Sequence, residues 1–207
     1  MDPAAARVAA RARRYGHPLA WFRPGRVVRV RDKMQHGYSY VLEARPGRLG
    51  PEFRDKKGKR PIPPGRVLAM GAFEGHYCTD CYRELPREWL LVTIKAGRLA
   101  PAAPDPSINQ FGLKSRLSLR EWRRRGWIIA PDPRGWFQWY MRYWLGRRIP
   151  AVDRRQISRW RSFARHRAQV VASLRTVRGP RTRAALRKHR PKQRQALLQW
   201  AYDPYAR

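Results

Sequence analysis

The 207-residue sequence predicts an α+β fold, predominantly α in its C-terminal two-thirds, with an N-terminal β-hairpin or small sheet packed on a helical core. Three observations carry that expectation. Two β-rich runs, Arg26-Val-Val-Arg-Val-Arg31 and Tyr38-Ser-Tyr-Val-Leu-Glu43, flank a short polar connection containing His36-Gly37, the pattern of a hairpin. Farther along, Ile157, Trp160, Ala164, Ala168, Val171 and Leu174 recur at three- and four-residue steps, one buried stripe of a long helix. Between these regions, prolines and glycines punctuate residues 45–65 and 97–107 as irregular connections. The expected division is a basic N-terminal arm at 1–20, a single domain over 21–202 (β-rich and loop through 107, helical from 108), and a tail at 203–207.

Residues 1–20 are rich in alanine and arginine, with Asp2 as their one acid. They read as an arm; a helix that orders on a partner and an organellar targeting segment are the alternatives. The basic cluster Lys56-Lys57-Gly-Lys-Arg60 lies in the first irregular connection, either a flexible bridge or an extended piece laid along a polyanion. Arg66–Gly71 suggests a short helix, and the compact apolar run Trp89-Leu-Leu-Val-Thr-Ile94 a buried strand. Ser118-Leu-Arg-Glu121 has the form of a capping box, and Gly126 stands where that helix should stop. Asp132-Pro133 offers an N-cap and a first-turn proline for a helix running to about Leu145, with Gly146 behind it. Asp153 is placed to cap the long helix, which ends before Gly179-Pro180. Thr182–His189 and Lys192–Tyr202 complete the helical part, with Pro191 suited to a first turn.

Charge separates the function classes. Lysine and arginine number 47 against 14 acids, a formal net charge of +33, and only eight of the 47 are lysine. Arginine-rich coding bias is one source of such a count. The other is physical: guanidinium forks pair two phosphate oxygens, stack on bases and keep their charge when partly buried. A field of this size repels itself unless an anion neutralises it, so nucleic acid is the expected partner, with other proteins of a larger assembly as a second class. A membrane partner is not expected, since no apolar run approaches the roughly 20 residues of a span. Two cysteines, Cys78 and Cys81, cannot staple a secreted scaffold. The expected location is a reducing intracellular compartment: cytoplasm or nucleoid, or an organelle matrix if residues 1–20 are a targeting segment.

Residues 122–144 hold eight of the chain's aromatic side chains. On a helix, Trp136, Trp139, Tyr140, Tyr143 and Trp144 make one broad face, and only Arg134, Gln138 and Arg142 form a polar stripe. Buried guanidinium needs a partner. The stripe therefore pairs with acids such as Glu84, Glu88 or Asp153, or lines a groove for phosphate or a base edge. Arg147 and Arg148, past the helix end, point to phosphate. From Arg154 to Tyr202 there is no acid, while arginine and lysine number fifteen. Arg154, Arg161 and Arg165 lie opposite the apolar stripe of the long helix, and Arg190, Lys192 and Arg194 continue the field. With Lys114, these are the candidate nucleic-acid contacts.

Catalytic signatures are thin. Cys78-Thr-Asp-Cys81 is half a zinc site, and closing it would need His76 with a distant ligand such as His36 or His166. The favoured reading is two reduced thiols, at least one buried, with no metal and no cofactor. The acids Glu74, Asp80, Glu84, Asp105, Asp132 and Asp153 match no nuclease spacing, and no phosphate-binding glycine loop occurs. An enzyme acting on DNA or RNA (base-modifying, glycosylase or nuclease), with a pocket around Arg134, Gln138 and Arg142, is the alternative to a binding protein that grips phosphates, alone or in a ribonucleoprotein or nucleoid assembly.

Several stretches carry a resemblance. Gly71-Ala-Phe-Glu-Gly-His-Tyr77 with Asp80-Cys81, Ser107-Ile-Asn109 through Lys114, Glu121-Trp122 with Gly126-Trp127-Ile128, and Asp132-Pro-Arg-Gly-Trp-Phe-Gln-Trp-Tyr140 resemble a family of uncharacterised, mainly microbial proteins. Arg147-Arg148, Asp153, Arg155-Gln156 and Gln193-Arg-Gln-Ala-Leu-Leu-Gln-Trp200 are similar to it as well. The resemblance spans roughly residues 26–202 and implies a shared fold but no activity. It implies too that the N-terminal arm and the basic 178–192 segment are additions.

Overall fold

The computed structural model describes residues 2–54, 60–114 and 117–207. The basic cluster at 56–60 therefore lies, except for Arg60, outside the described residues. The described chain is mostly helical, with eight α-helices and one two-stranded antiparallel hairpin near the N-terminus. The elements are α1 (Pro3–Tyr15), β1 (Val27–Arg31), β2 (His36–Val41), α2 (Pro64–Ala69), α3 (Arg87–Lys95), α4 (Leu119–Arg124), α5 (Trp136–Leu145), α6 (Pro150–Ala172), α7 (Arg183–Lys188) and α8 (Pro191–Gln199).

Residues 3–15, within the segment expected as an arm, form a docked helix. Asp2 accepts from the Ala4 amide at 3.0 Å and Pro3 opens the first turn. Ala5, Val8, Ala9 and Ala12 are buried, and Val8 and Ala12 pack with Leu90 of α3. Alanine at three- and four-residue spacing lets two helices approach closely, while Arg7, Arg11, Arg13 and Arg14 stay exposed. The run Trp89–Ile94 is likewise helical, correcting the expected strand. A short continuous apolar run has no period to distinguish the two. Here α1 and α2 cover α3, whereas Val92 faces outwards.

The hairpin puts Val28, Val30, Tyr40 and Leu42 inwards, with Val28 opposite Tyr40. Its turn is tied by Asp32, whose Oδ1 accepts from the amides of Met34 and Gln35 at 2.7 and 2.9 Å. The chain then crosses the end of α5: Glu43 and Ala44 donate to the Gly146 carbonyl, and Gly47 to that of Trp144.

α5 is the central element. Nine of its ten residues are buried. Phe53 is stacked among Trp139, Tyr140, Tyr143 and Trp160, with ring centroids 4.7–6.0 Å apart. Asp132 does not cap this helix. Its N-cap is Gly135 at φ +86°, and Asp132 is drawn into the interior by two arginines. Asp153 also lies inside its helix, in the first turn, where it accepts from the Ile149 amide at 2.7 Å and the Trp139 indole at 2.8 Å. Elsewhere the caps fall as expected. Ser118 accepts from the Glu121 amide, though the Glu121 carboxylate pairs with Arg124 and Arg125, and Gly126 takes φ +63° behind α4; Thr182, at the start of the candidate helix 182–189, accepts from the Ala185 amide.

α6 packs on α5 and α8. Ile157, Trp160, Val170 and Leu174 are buried and Ala164 partly so, but Ala168 is exposed, so the stripe shifts to Val170 in its last turns. The C-terminal residues close the core: Tyr202 stacks on Trp160 at 4.8 Å and donates to its carbonyl, while Trp160 donates to the carbonyl of Trp200.

Gly146 sits at φ +120°, and a Cβ there would land on the Ala44 carbonyl. Gly146→Ala should therefore cost about 2 kcal/mol or more of unfolding free energy. Urea melts measure it, and a change within the scatter of an ordinary surface substitution would contradict the assignment.

Candidate functional site

The sequence-predicted residues separate into two populations. The first surrounds α5. Arg142 is completely buried: its Nε donates to Glu84 Oε1 at 2.6 Å, Nη1 to Asp132 Oδ1 at 3.0 Å and the Pro131 carbonyl at 3.1 Å, and Nη2 to Gln35 Oε1 at 2.9 Å. Arg147 reaches the other oxygen of Asp132 at 2.7 Å. Tyr40 donates to Glu84 at 3.1 Å, and its ring lies 5.6 Å from each of the two guanidiniums. Beside this group, Arg134 holds Asp80 at 2.9 Å and Asp32 at 3.1 Å.

Burial works against the charged forms of Arg142 and Arg147, but Glu84 and Asp132 outweigh it, and both guanidiniums are held above their ordinary pKa. Burial and the adjacent Glu84 push the Tyr40 phenol well up, so it stays a donor.

The open choice between groove and internal pairing thus resolves inwards for Arg142. Glu84 was an expected partner; Asp132, read as a cap, was not. Gln138 is buried, with its Oε1 accepting from the Arg134 amide. Arg147 and Arg194 are corrections too, since neither reaches solvent as a phosphate ligand would. Arg194 has no exposed surface and donates to the carbonyls of His189, Pro204 and Ala206, pinning the segment expected as a tail. Arg148 is partly exposed, lies 4.0 Å over the Tyr143 ring and donates to the carbonyls of Tyr143, Arg147 and Arg48.

Cys78 and Cys81 are free and buried. Cys81 donates to Asp32 at 3.4 Å, and its hydrogen bond with Cys78 together with burial pushes its pKa well up. Asp32, Cys81 and Glu84 bring three donor atoms within 4.8 Å of one another. Arg134 and Arg142 already neutralise the two carboxylates, and the thiol keeps its proton. His76 instead meets the Ala100 carbonyl at 3.1 Å.

The second population is exposed: Lys114, Arg154, Arg161, Arg165, Arg190 and Lys192. Three of these share one face of α6 with Ser158 and Ser162. That face borders a groove of about 690 Å3, flanked by Arg54, Arg154 and Arg161 and floored by Trp160 and Tyr202, in which Glu52 is the one acid among the described residues.

No family model, curated protein or solved structure matches this chain. Function therefore has to be argued from the side chains themselves. Sequence reading missed a second, aromatic pocket of about 260 Å3 between α4, α5, α6 and α8. Its tryptophans were visible, but nothing in their spacing showed that rings from four elements converge.

Two predictions follow from the ion network. Arg142→Met strands the buried Glu84 carboxylate, leaves Asp132 to Arg147 alone, and should cost about 3–5 kcal/mol in chemical denaturation; a loss below about 1 kcal/mol would refute the pairing. For Asp80, burial raises the pKa, but Arg134 and backbone donors outweigh it, so it lies below its ordinary 3.8. Its stabilisation is complete above that value and disappears as pH falls through the lower folded one. Asp80→Asn should flatten the acid limb of stability against pH, and an unchanged limb would contradict this.

Proposed function

We propose that the protein binds nucleic acid by gripping the phosphate backbone with the exposed face of α6 and the groove beside it. The observation that carries the reading is where the acids go. The buried network holds four carboxylates (Asp32, Asp80, Glu84 and Asp132) against three guanidiniums (Arg134, Arg142 and Arg147). The core thus uses acids at least as fast as arginines and leaves the cationic excess outside.

On α6 that excess is organised. Arg154, Arg161 and Arg165 recur at intervals of seven and four residues, one stripe of a straight helix about 34 Å long at ~1.5 Å per residue. No acid follows Asp153 until Asp203, so helix-spanning ion pairs cannot absorb the stripe. The groove gives the stripe a concave side, and Ser158 and Ser162 add hydroxyl donors of the kind that meet phosphate oxygens. Lys114, Arg190 and Lys192 are exposed cations that can extend the contact. No helix of the described residues is long and apolar enough to cross a membrane.

Electrophoretic shifts with unrelated strands at several salt concentrations test the reading. Affinity should fall steeply with salt, and the triple change Arg154→Gln, Arg161→Gln, Arg165→Gln should weaken all sequences alike, reducing the log–log salt slope by about 2–3. Its melting temperature should stay near that of the parent, because these side chains are exposed. Salt-independent binding, or an unchanged slope in the variant, would overturn the proposal.

A further inference from the structure

The 260 Å3 pocket has the construction of a binding site. Trp122 and Trp127 contribute from α4 and the turn behind it, Trp136 from the start of α5, and Trp200 from the end of α8. Trp136 and Trp200 stack on each other with centroids 4.7 Å apart and are backed by Tyr140 and Phe163, so among the described residues Trp122 and Trp127 are the lining tryptophans with no ring stacked on them. The volume lies just below the roughly 300–1,000 Å3 of ordinary ligand pockets, a size for one planar heterocycle rather than a chain.

Among the described residues, two side chains with polar heads line this space beside the rings, Gln199 and Arg159. Gln199 is only 7% exposed, and its Nε2 is buried with no hydrogen-bond partner. A buried amide donor without an acceptor is costly to leave unmade. Arg159 spends one nitrogen on the Trp127 carbonyl and Gln156 Oε1, each at 3.0 Å, lies 5.6 Å over the Trp200 ring, and forms no ion pair with a carboxylate among the described residues. Burial and the neighbouring Arg155 both press its pKa below the ordinary value, the direction expected of a cation lacking a counter-charge. The pocket therefore offers the rings of Trp122 and Trp127 beside the Arg159 and Gln199 donors, and asks for a planar group bearing acceptors. Arg159 also lies on α6, on a different face from the Arg154, Arg161 and Arg165 stripe, so one helix serves both sites.

We propose that this pocket receives a single unpaired keto nucleobase, guanine through its O6 and N7 acceptors, against the tryptophan faces. Guanidinium to guanine O6 and N7 is the commonest specific protein–base contact, and adenine presents a donor at the corresponding edge. Stacking on indole supplies the rest and needs the base out of a duplex. The inference rests on the phosphate-gripping reading, which delivers the strand. It goes further by assigning base selectivity and a single-stranded segment.

The test uses the full chain and three ten-residue abasic-spacer strands of equal charge, carrying one central guanine, one central adenine, or no base. All three should bind with the same salt slope. The guanine strand should bind about tenfold more tightly than the baseless one and be the strongest quencher of indole fluorescence. Gln199→Leu should abolish that advantage while leaving the affinity for the baseless strand unchanged. Gln199→Met, closer in length, replaces it if circular dichroism shows that the leucine variant does not fold. Equal affinities without quenching overturn the pocket assignment and leave the phosphate reading standing. An advantage that survives both variants, or a preference for adenine, also overturns it. If no strand binds, the phosphate reading falls and this inference falls with it.

Discussion

Asp132 is the point on which the interior turns. Its two oxygens are divided between Arg142 and Arg147, fixing the end of α5 and the residues beyond it to the loop in front of the helix. Arg142 then reaches Glu84, 58 residues earlier, and Gln35 in the hairpin turn, so one guanidinium joins the N-terminal sheet, the segment before α3 and the central helix. Desolvating such charges opposes folding; the fork geometry, in which the donors of Arg142 find fixed acceptors, offsets it. Dispersion among the rings of α5 supplies cohesion but little direction. The ion network supplies the direction, since only one register of α5 against the hairpin satisfies it.

That arrangement determines the exterior. A chain with so few acids that places four of them around three arginines has little left to temper its surface. The hairpin turn shows the economy at one residue: Asp32 ties the turn, pairs with Arg134 and accepts from Cys81. The C-terminal helices, with no acid between Asp153 and Asp203, present arginine without neighbours of opposite sign. Internal architecture and surface potential are thus one distribution of carboxylates seen from two sides.

Much of the fold was legible in local chemistry. Ser118 caps where its spacing says, the hairpin alternates as β-residues should, and Gly126 and Gly146 end their helices. The failures share a cause. Asp132 followed by proline has every local mark of an N-cap, yet its partners lie ten and fifteen residues on and outcompete backbone amides. Trp89–Ile94 has no period, and only the docking of α1 and α2 makes it a helix. Arg194 looked like one more surface cation until the carbonyls of residues 204 and 206 closed over it. The aromatic pocket was least legible, because Gln199 gains meaning only when α8 brings it among rings from elsewhere. Local signals located elements; long-range pairing decided which polar groups belong to the core.

The seating of Trp200 and Tyr202 on α6 has a consequence for biosynthesis. Trp160 and Phe163 are covered by rings that follow them by some forty residues, so until these are translated α6 has α5 and Phe53 to pack on but its apolar side is only partly covered. Closure of this side of the core therefore waits on translation of Trp200 and Tyr202.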